Sequence, residues 1–205
     1  MLRVLGRVTS INVRKVLWCA DELGLQYERE VWGMPDRDPK VPEFMTLNPN
    51  AQVPVIIDDG FVLWESGAIL RYLARDSDAL WPADLQQRAT VDQWLTWQAT
   101  ELNPPWGYAV QALLRKTPGF DDEALIARSI AGWTTKMQIL DARLPDTGAY
   151  VGGDAFTIAD IATGLSAHRW YSIPRTLTEL PNVRVYYEKL KERPAGALYM
   201  RSELF

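Results

Sequence analysis

Two short stretches of this 205-residue chain place polar side chains where a helix is predicted to begin. Ser10 and Asn12 follow a short apolar strand, and the pair Glu65-Ser66 follows Trp64 at the end of another. The first N–H groups of a helix are unpaired and carry partial positive charge, so an anion is stabilised there. Each start is therefore either an ordinary helix cap or a place that holds the negative group of a ligand.

Strands and helices alternate in the first 76 residues. Short apolar runs predict strands over Leu2–Leu5 and residues 27–32, with a helix between them that ends before Gly24. Asp58-Asp59-Gly60 is a strong hairpin signal between two further strands, and a helix begins at Ser66. The order β-α-β, loop, β-β-α predicts a mixed four-stranded sheet with helices packed on it.

The rest of the chain is predicted to be helical. Thr157 and Asp160 have the spacing of a capping box at the start of one helix, where Phe156 can pack on Ile161. Another helix is expected to break at Pro104-Pro105, because proline removes a helical N–H donor. Residues 145–153 are predicted as a loop. The helix that contains these prolines is predicted over residues 85–116, and further helices are predicted over residues 121–144 and 182–193.

Composition narrows the possible functions. Lys and Arg number 22 against 26 Asp and Glu, a net charge of -4, and no basic run is interleaved with aromatic residues, so nucleic-acid binding is not predicted. The single Cys19 and single His168 exclude a disulfide framework within the chain and a His/Cys metal cluster. Cys19 lies in an apolar helical stripe and is expected to be a buried core thiol.

No targeting or membrane segment is predicted. The N-terminal apolar run is too short for a signal peptide, and no segment approaches the about 20 apolar residues of a membrane span. A protein with one cysteine fits a reducing compartment. We therefore expect a soluble protein of the cytoplasm that does not bind membranes.

Four motifs, in this order along the chain, resemble those of the glutathione S-transferase family. They are VTSINVRKV, NPNAQVPV, WESGAILRYLA and GGDAFTIADI. The resemblance implies a thioredoxin-like α/β domain over residues 1–76, a linker over 77–84 and an all-helical bundle domain over 85–205. It also implies glutathione as a co-substrate and no permanently bound cofactor or metal.

The resemblance assigns a set of residues to glutathione. It implies that the bond before Pro54 is cis and that the backbone of Val53 pairs with the cysteinyl backbone of the tripeptide. Ser66 would cap the third helix and hold the γ-glutamyl carboxylate, while Glu65 would receive the ammonium group. The remaining predicted contacts are Gln52 to the tripeptide backbone and Lys40 to the glycyl carboxylate.

Activating the thiol of glutathione requires a donor beside its sulfur, since a free thiol has a pKa of about 8.5. By the resemblance, Ser10 stands at the position of the serine-type families, and its hydroxyl would donate to the sulfur. Asn12 is its rival or helper, because similar bacterial members use an asparagine amide, and Thr9 is a third option. Tyrosine-type chemistry is not expected, because Gly6-Arg7 occupies that position.

The resemblance further implies an electrophile site and a partner chain. Family members usually form twofold homodimers in which an acidic or amide residue of the partner reaches the γ-glutamyl ammonium, and Glu101 and Asn103 are candidates for that role. The aromatic candidates for the electrophile site are Trp106, Tyr108, Trp170 and Tyr171.

Three functions are compatible with these motifs. The leading prediction is an enzyme that activates the glutathione thiol as a thiolate for nucleophilic attack on small hydrophobic electrophiles, as in detoxification. The second prediction is an enzyme with the same site, in which the thiolate reacts with hydroperoxides or with disulfides of glutathione. The third is a binding protein of this fold without turnover, which predicts loss of the site residues that this chain retains.

Overall fold

The computed structural model describes residues 1–203. These residues form two compact units, Met1–Trp81 and Pro82–Glu203. The boundary lies within residues 77–84, the segment predicted from the sequence as a linker. Within the described residues, no helix combines the length and the apolarity that a membrane crossing requires.

The first unit contains the predicted four-stranded mixed sheet. Its strands are β1 (Leu2–Leu5), β2 (Tyr27–Glu30), β3 (Val55–Asp58) and β4 (Phe61–Trp64), in the spatial order β2-β1-β3-β4. β1 runs parallel to β2 and antiparallel to β3, and β3 runs antiparallel to β4. β2 ends two residues earlier than predicted, shortly before Gly33, where the chain adopts a φ of 114°.

The hairpin turn and the register bring three chain segments to one end of the sheet. Asp59 and Gly60 both have positive φ, as a two-residue type I′ turn requires. Leu5 pairs with Val55, which pairs in turn with Trp64. The chain therefore leaves β1, enters β3 and leaves β4 at the same sheet end.

Three helices complete the first unit: α1 (Ile11–Glu22), α2 (Pro42–Met45) and α3 (Ser66–Leu73). α1 packs against α3, and the apolar stripe of α1 is buried. Cys19 lies in that stripe, as predicted, and burial raises the pKa of its thiol well above the ordinary value. The short helix α2 was not predicted, and it begins at Pro42, whose fixed φ favours a first helical position.

The predicted helix over residues 85–116 is divided into three pieces. These are α4 (Leu85–Trp97), a π-helical turn (Gln98–Leu102) and α5 (Asn103–Leu113). The expected break is confirmed, but it lies just before Pro104-Pro105. Both prolines occupy the first turn of α5, where a missing N–H leaves no intrahelical bond unmade.

Helix α6 (Glu123–Thr147) is longer than predicted. The sequence suggested an end at Leu144 and a loop from Pro145, and this expectation is wrong. Pro145 removes only one N–H donor, and the helix continues past it to Thr147, with Gly148 N donating to Leu144 O at 3.2 Å. The helix ends at Gly148, whose left-handed φ of 78° suits a residue without a side chain.

Helices α7 (Ile158–Ser172), α8 (Pro181–Lys191) and α9 (Pro194–Tyr199) complete the second unit. The predicted capping box is confirmed at the start of α7, where the Thr157 hydroxyl and N–H both donate to Asp160. Asp160 is fully buried and also accepts from Val151 N and Tyr186 Oη. α9 was not predicted, because Pro194 follows α8 closely and restarts the chain as a short helix.

Candidate functional site

Ser10 is the N-cap residue of α1, at the end of the sheet where the three segments meet. Its backbone carbonyl accepts from Arg14 N at 3.0 Å, and its own N–H donates to Arg7 O at 3.1 Å. Its hydroxyl makes no capping hydrogen bond with the helix. The backbone thus fixes Ser10 beside the first turn of α1, while the hydroxyl remains able to donate to a ligand.

Asn12 lies in the first turn of α1 and contacts the start of α3. Ser66 Oγ donates to Asn12 Oδ1 across 3.4 Å, joining residues 54 positions apart in the sequence. Because Oδ1 accepts this bond, the amide nitrogen Nδ2 is the group left to donate elsewhere. The structure therefore brings together two of the predicted site residues that the sequence could not place side by side.

Thr9, the third option for the thiol, is in a different position. Its Oγ1 atom is enclosed and makes no hydrogen bond within residues 1–203. A hydroxyl sealed from solvent cannot reach a ligand that enters from solvent. Of the three candidates, Ser10 and Asn12 are thus the ones with a donor that a ligand can use.

Val53 and Pro54 lie at the entrance of β3. The Val53–Pro54 bond is cis, as the resemblance implied. The N–H and C=O of Val53 take part in none of the backbone hydrogen bonds formed by the residues described. Asn48 Nδ2 holds the preceding turn by donating to Gln52 O at 2.8 Å. An extended peptide could therefore pair with the backbone of Val53.

Gly6 lies close to Val53 at the candidate site and was not among the predicted site residues. A Cβ built on Gly6 would overlap Val13 Cγ2 and would lie 3.3 Å from Val53 Cβ. Only glycine allows the chain between β1 and α1 to lie this close to Val53. A glycine directly after an apolar strand was the available signal, but Gly6 entered the sequence analysis only as part of the position where tyrosine-type members carry their tyrosine.

The structure corrects the prediction that Ser66 caps the third helix. Ser66 is the first residue of α3 and not its cap; the cap is Glu65, whose side chain makes no capping bond. Glu65 has a φ of 70°, a conformation that costs free energy for a residue with a side chain and is often found at functional sites. Its carboxylate is exposed, whereas Ser66 is 8% exposed. Both residues still lie at the positive end of α3.

Lys40 and Gln52 are exposed on the surface of the first unit. The backbone N–H of Lys40 donates to Asp38 Oδ1 at 2.9 Å, which fixes the local turn. Neither side chain forms a hydrogen bond with Ser10, Asn12 or Ser66 in the part of the chain that the structure describes. Their predicted roles therefore concern a ligand rather than the internal geometry of the site.

Comparison with known proteins identifies the family of the chain. A family model for the N-terminal domain of glutathione S-transferases matches residues 1–75. Over 199 residues the chain is 34% identical to glutathione S-transferase GstB of Escherichia coli strain K12, and the alignment covers 95% of both proteins. The chain belongs to the glutathione S-transferase family.

Further relatives of this glutathione S-transferase include a protein of known structure and a protein named for a different activity. It is similar to a theta class glutathione S-transferase from Xanthomonas axonopodis pv. citri solved with glutathione bound, with a TM-score of 0.94, 33% identity, and coverage of 100% and 99% of the two chains. It is also 31% identical to the disulfide-bond oxidoreductase YfcG of Escherichia coli strain K12, over 80% of this chain and 78% of that protein. The thioredoxin-like fold of the first domain and the glutathione S-transferase class of enzyme are thereby shown.

In this glutathione S-transferase the aromatic candidates belong to the helical unit. Trp106 is half-buried, its Nε1 donates to Asn103 Oδ1 at 3.0 Å, and the Arg169 guanidinium lies 4.4 Å from its ring centre. Trp170 is 1% exposed, and its ring centre is 5.1 Å from that of Trp133 in the core. Tyr108 contacts Phe120 with tilted rings whose centres are 5.0 Å apart.

Other polar residues of the helical unit have structural partners. Glu101 forms an ion pair with Lys136 at 2.7 Å. His168 is buried, with its ring nitrogens 3.1 Å from Tyr187 Oη and 3.2 Å from Arg201 O. Tyr171, also named from the sequence, has the Arg184 guanidinium 3.5 Å from its ring centre. Residues 1–203 contain no cluster of three or more His, Cys, Asp or Glu side chains suited to a metal ion.

Proposed function

We propose that this glutathione S-transferase binds glutathione at the sheet end described above and activates its thiol for attack on small hydrophobic electrophiles. The observation that carries the proposal is the pair of donors at the start of α1, Ser10 Oγ and Asn12 Nδ2, beside the unpaired backbone of Val53. The tripeptide would pair with Val53, and its γ-glutamyl carboxylate would lie at the start of α3.

The chemistry needs little from the protein beyond stabilisation of the thiolate. A hydrogen bond to the sulfur and the positive end of α1 together lower the thiol pKa by about 1 to 2 units from about 8.5, each unit being about 1.4 kcal/mol. The thiol proton passes to solvent, and the thiolate attacks the carbon of the electrophile. With a chloro-nitroaromatic substrate, a carbon–sulfur bond forms, the carbon–chlorine bond breaks and chloride leaves.

The first test measures the pKa of the glutathione thiol bound to the wild type and to the variants Ser10→Ala and Asn12→Ala. We expect a bound thiol pKa below 8 in the wild type, which rises by about one unit in each variant because a donor is lost. Ultraviolet absorbance of the thiolate gives the pKa, and turnover of a chloro-nitroaromatic substrate should fall with it. Thr9→Val is the matched control, since the enclosed Thr9 hydroxyl should not affect the thiol.

Two results would contradict the proposed function. An unshifted pKa of the bound thiol, together with no turnover on a broad panel of electrophiles, would exclude activation. Absence of glutathione binding at millimolar concentration in calorimetry would instead favour a binding protein of this fold with another ligand.

A second candidate function is reduction of disulfides or hydroperoxides at the same site. The similarity to the disulfide-bond oxidoreductase YfcG favours it. In that reaction the thiolate attacks a disulfide sulfur and a second thiolate leaves. Steady-state kcat/KM values for a mixed disulfide of glutathione, a hydroperoxide and a chloro-nitroaromatic substrate decide which function dominates.

The proposal extends to the oligomeric state, to the side on which the electrophile binds and to further contacts with glutathione. We infer a homodimer of the cytoplasm, with Trp106 and Tyr108 as the residues expected on the electrophile side and Lys40 and Gln52 as further glutathione contacts. Trp170, also predicted for the electrophile side, is 1% exposed and packs in the core instead. Within the described residues, Glu101 is already paired with Lys136, and Asn103 Oδ1 already accepts from Gln98 Nε2 at 2.8 Å. Glu101 could still accept from the ligand of a partner chain through its other carboxylate oxygen, Oε1, whereas Asn103 Oδ1 would have to release one of its present donors.

A further inference from the structure

Arg7 is the first residue of the tight turn that leads from β1 to Ser10. The backbone N–H of Ser10 donates to Arg7 O at 3.1 Å, which is the bond between the first and fourth residues of a β-turn. Such a turn holds its first and last Cα atoms within about 7 Å of each other. Arg7 is half-buried. Its side chain therefore starts beside the proposed thiol donor and is partly accessible from solvent.

Gly33, in the loop after β2, contacts the stem of the Arg7 side chain. A Cβ built on Gly33 would lie 3.2 Å from Arg7 Cδ and 3.3 Å from Arg7 Nε. The backbone of this loop is fixed, because Gly33 N donates to Arg37 O at 2.8 Å and Arg37 N donates to Gly33 O at 3.3 Å. The Arg7 side chain therefore lies against an ordered backbone and does not extend freely into solvent.

The Arg7 guanidinium takes part in none of the ion pairs formed within residues 1–203. Arg37 differs, because its guanidinium lies 3.5 Å from the ring centre of Trp32 and pairs with Glu43 at 3.2 Å. The first turn of α1 contains no acidic residue that could neutralise Arg7. The planar set of N–H donors of Arg7 is therefore available to the anionic group of a ligand.

An apolar side chain lies next to this cation in the same loop. Met34 directly follows Gly33 and is 57% exposed. A cation beside apolar surface suits a ligand that combines an apolar body with one negative group. In the proposed function the two carboxylates of glutathione already have partners, at the start of α3 and at Lys40. The anion that remains for Arg7 is one carried by the electrophile.

We propose that Arg7 is a specificity-determining residue that binds the negative group of the electrophile, so that the enzyme prefers hydrophobic electrophiles that carry a carboxylate. This inference rests on the proposed function and narrows its substrate class. With a chloro-nitrobenzoate, the thiolate sulfur bonds to the ring carbon, the carbon–chlorine bond breaks and chloride leaves with the bonding electrons. The carboxylate is unchanged in the reaction, and the guanidinium orients the ring by donating to it.

Two electrophiles of nearly the same shape test the inference on the full-length protein. The kcat/KM is measured for a chloro-nitrobenzoate and for the neutral benzamide of the same substitution pattern, in wild type and in Arg7→Gln. The ratio of the two values cancels any effect of Arg7 on the thiolate, because the nucleophile is the same in both reactions. We expect Arg7→Gln to lower the benzoate-to-benzamide ratio by about tenfold or more, since a hydrogen bond between two charged groups is lost.

Two further variants separate the geometry of Arg7 from the charge of the loop. Arg7→Lys keeps the charge but loses the planar set of donors, and the ratio should fall by about threefold. Arg37→Gln removes an equal charge from the same loop, and the ratio should stay within about twofold of wild type, because Arg37 already has partners. Added salt should lower the ratio in wild type more than in Arg7→Gln. Thermal unfolding verifies that each variant is folded.

Three results would overturn the inference while leaving the proposed function intact. An unchanged ratio in Arg7→Gln, with the benzamide still conjugated, would show that Arg7 does not bind the carboxylate of the electrophile. An unchanged ratio with a glutathione Kd about tenfold weaker in calorimetry would assign Arg7 to a carboxylate of glutathione. An equal fall of the ratio in Arg37→Gln would reduce the effect to net charge. Failure of the proposed function differs, because the bound thiol would keep an ordinary pKa and neither electrophile would react in wild type.

Discussion

The residues proposed to activate the thiol would act through hydrogen-bond donors and not through titrating side chains. Ser10 and Asn12 supply a hydroxyl and an amide, and the backbone of Val53 supplies one N–H and one C=O. Neutral donors keep their protons over the whole physiological pH range. The pH dependence of activity should therefore report the pKa of the glutathione thiol itself.

Gly6 sets the distance between the start of α1 and the backbone of Val53. In Gly6→Ala the new Cβ overlaps Val13 Cγ2, and the stiff, buried Val13 cannot move away. We expect a loss of unfolding free energy of about 1–3 kcal/mol and a weaker affinity for glutathione, because Val53 is displaced. Urea unfolding and calorimetry measure the two effects.

Gly24→Ala is the control for this prediction. Gly24 also has a positive φ, 64°, but a Cβ there would meet no atom within 4 Å. It should cost about 1 kcal/mol from backbone conformation alone and leave glutathione affinity unchanged. Equal effects of the two substitutions on affinity would refute the role assigned to Gly6.

At the scale of the elements, the first turn of α7 is stabilised by a buried carboxylate. Asp160 accepts four hydrogen bonds, from Val151 N, Tyr186 Oη, Thr157 N and Thr157 Oγ1. Burial nevertheless raises the pKa of Asp160 from 3.8 to about 6, and the hydrogen bonds oppose that shift. α7 is almost entirely enclosed, so water cannot solvate the charge.

This raised pKa predicts how the stability of the fold changes with pH. The folded protein binds the Asp160 proton more tightly than the unfolded chain. The contribution to stability is therefore complete below the unfolded pKa of 3.8 and is lost as the pH rises through about 6. The shift corresponds to about 3 kcal/mol.

Asp160→Asn isolates this contribution. The variant loses the acceptor for Thr157 N and should be less stable at every pH. The difference in unfolding free energy between wild type and variant should shrink by up to about 3 kcal/mol between pH 4 and pH 7. A difference that stays constant or grows with pH would contradict the assignment, and NMR titration of the Asp160 carboxyl gives its pKa directly.

At the scale of the whole molecule, the charge of the chain does not favour glutathione. The net charge is -4, and glutathione is itself an anion at neutral pH. In the proposed function the attraction would come from local groups, namely the positive ends of α1 and α3 and the exposed Lys40. Local positive groups on a chain of negative net charge would explain how an acidic protein binds an acidic peptide.

The inferred homodimer makes the last prediction. Light scattering of the purified protein should give twice the 23.3 kDa mass of one chain. The expectation comes from the family, whose members usually form twofold dimers. A mass of 23.3 kDa at micromolar concentration would exclude the stable dimer and any role of Glu101 or Asn103 toward a partner's ligand.

The sequence by itself determined the features that depend on near neighbours along the chain. Apolar periodicity predicted the strands and most helices. The Asp-Gly step predicted the hairpin, and Thr157 with Asp160 predicted the start of α7. Hydrogen bonds and steric terms over three or four residues are enough for each of these. The predicted end of α6 was wrong because Pro145 removes only one N–H donor, and the helix continues past it to Thr147.

Only the tertiary structure decided which groups meet. Ser66 and Asn12 are 54 residues apart, and their contact exists because α1 and α3 start at the same end of the sheet. The same packing encloses the Thr9 hydroxyl, leaves the Ser10 hydroxyl usable and places Gly6 against Val53. Contacts through space follow from the packing of whole elements, which no local pattern of residue types encodes.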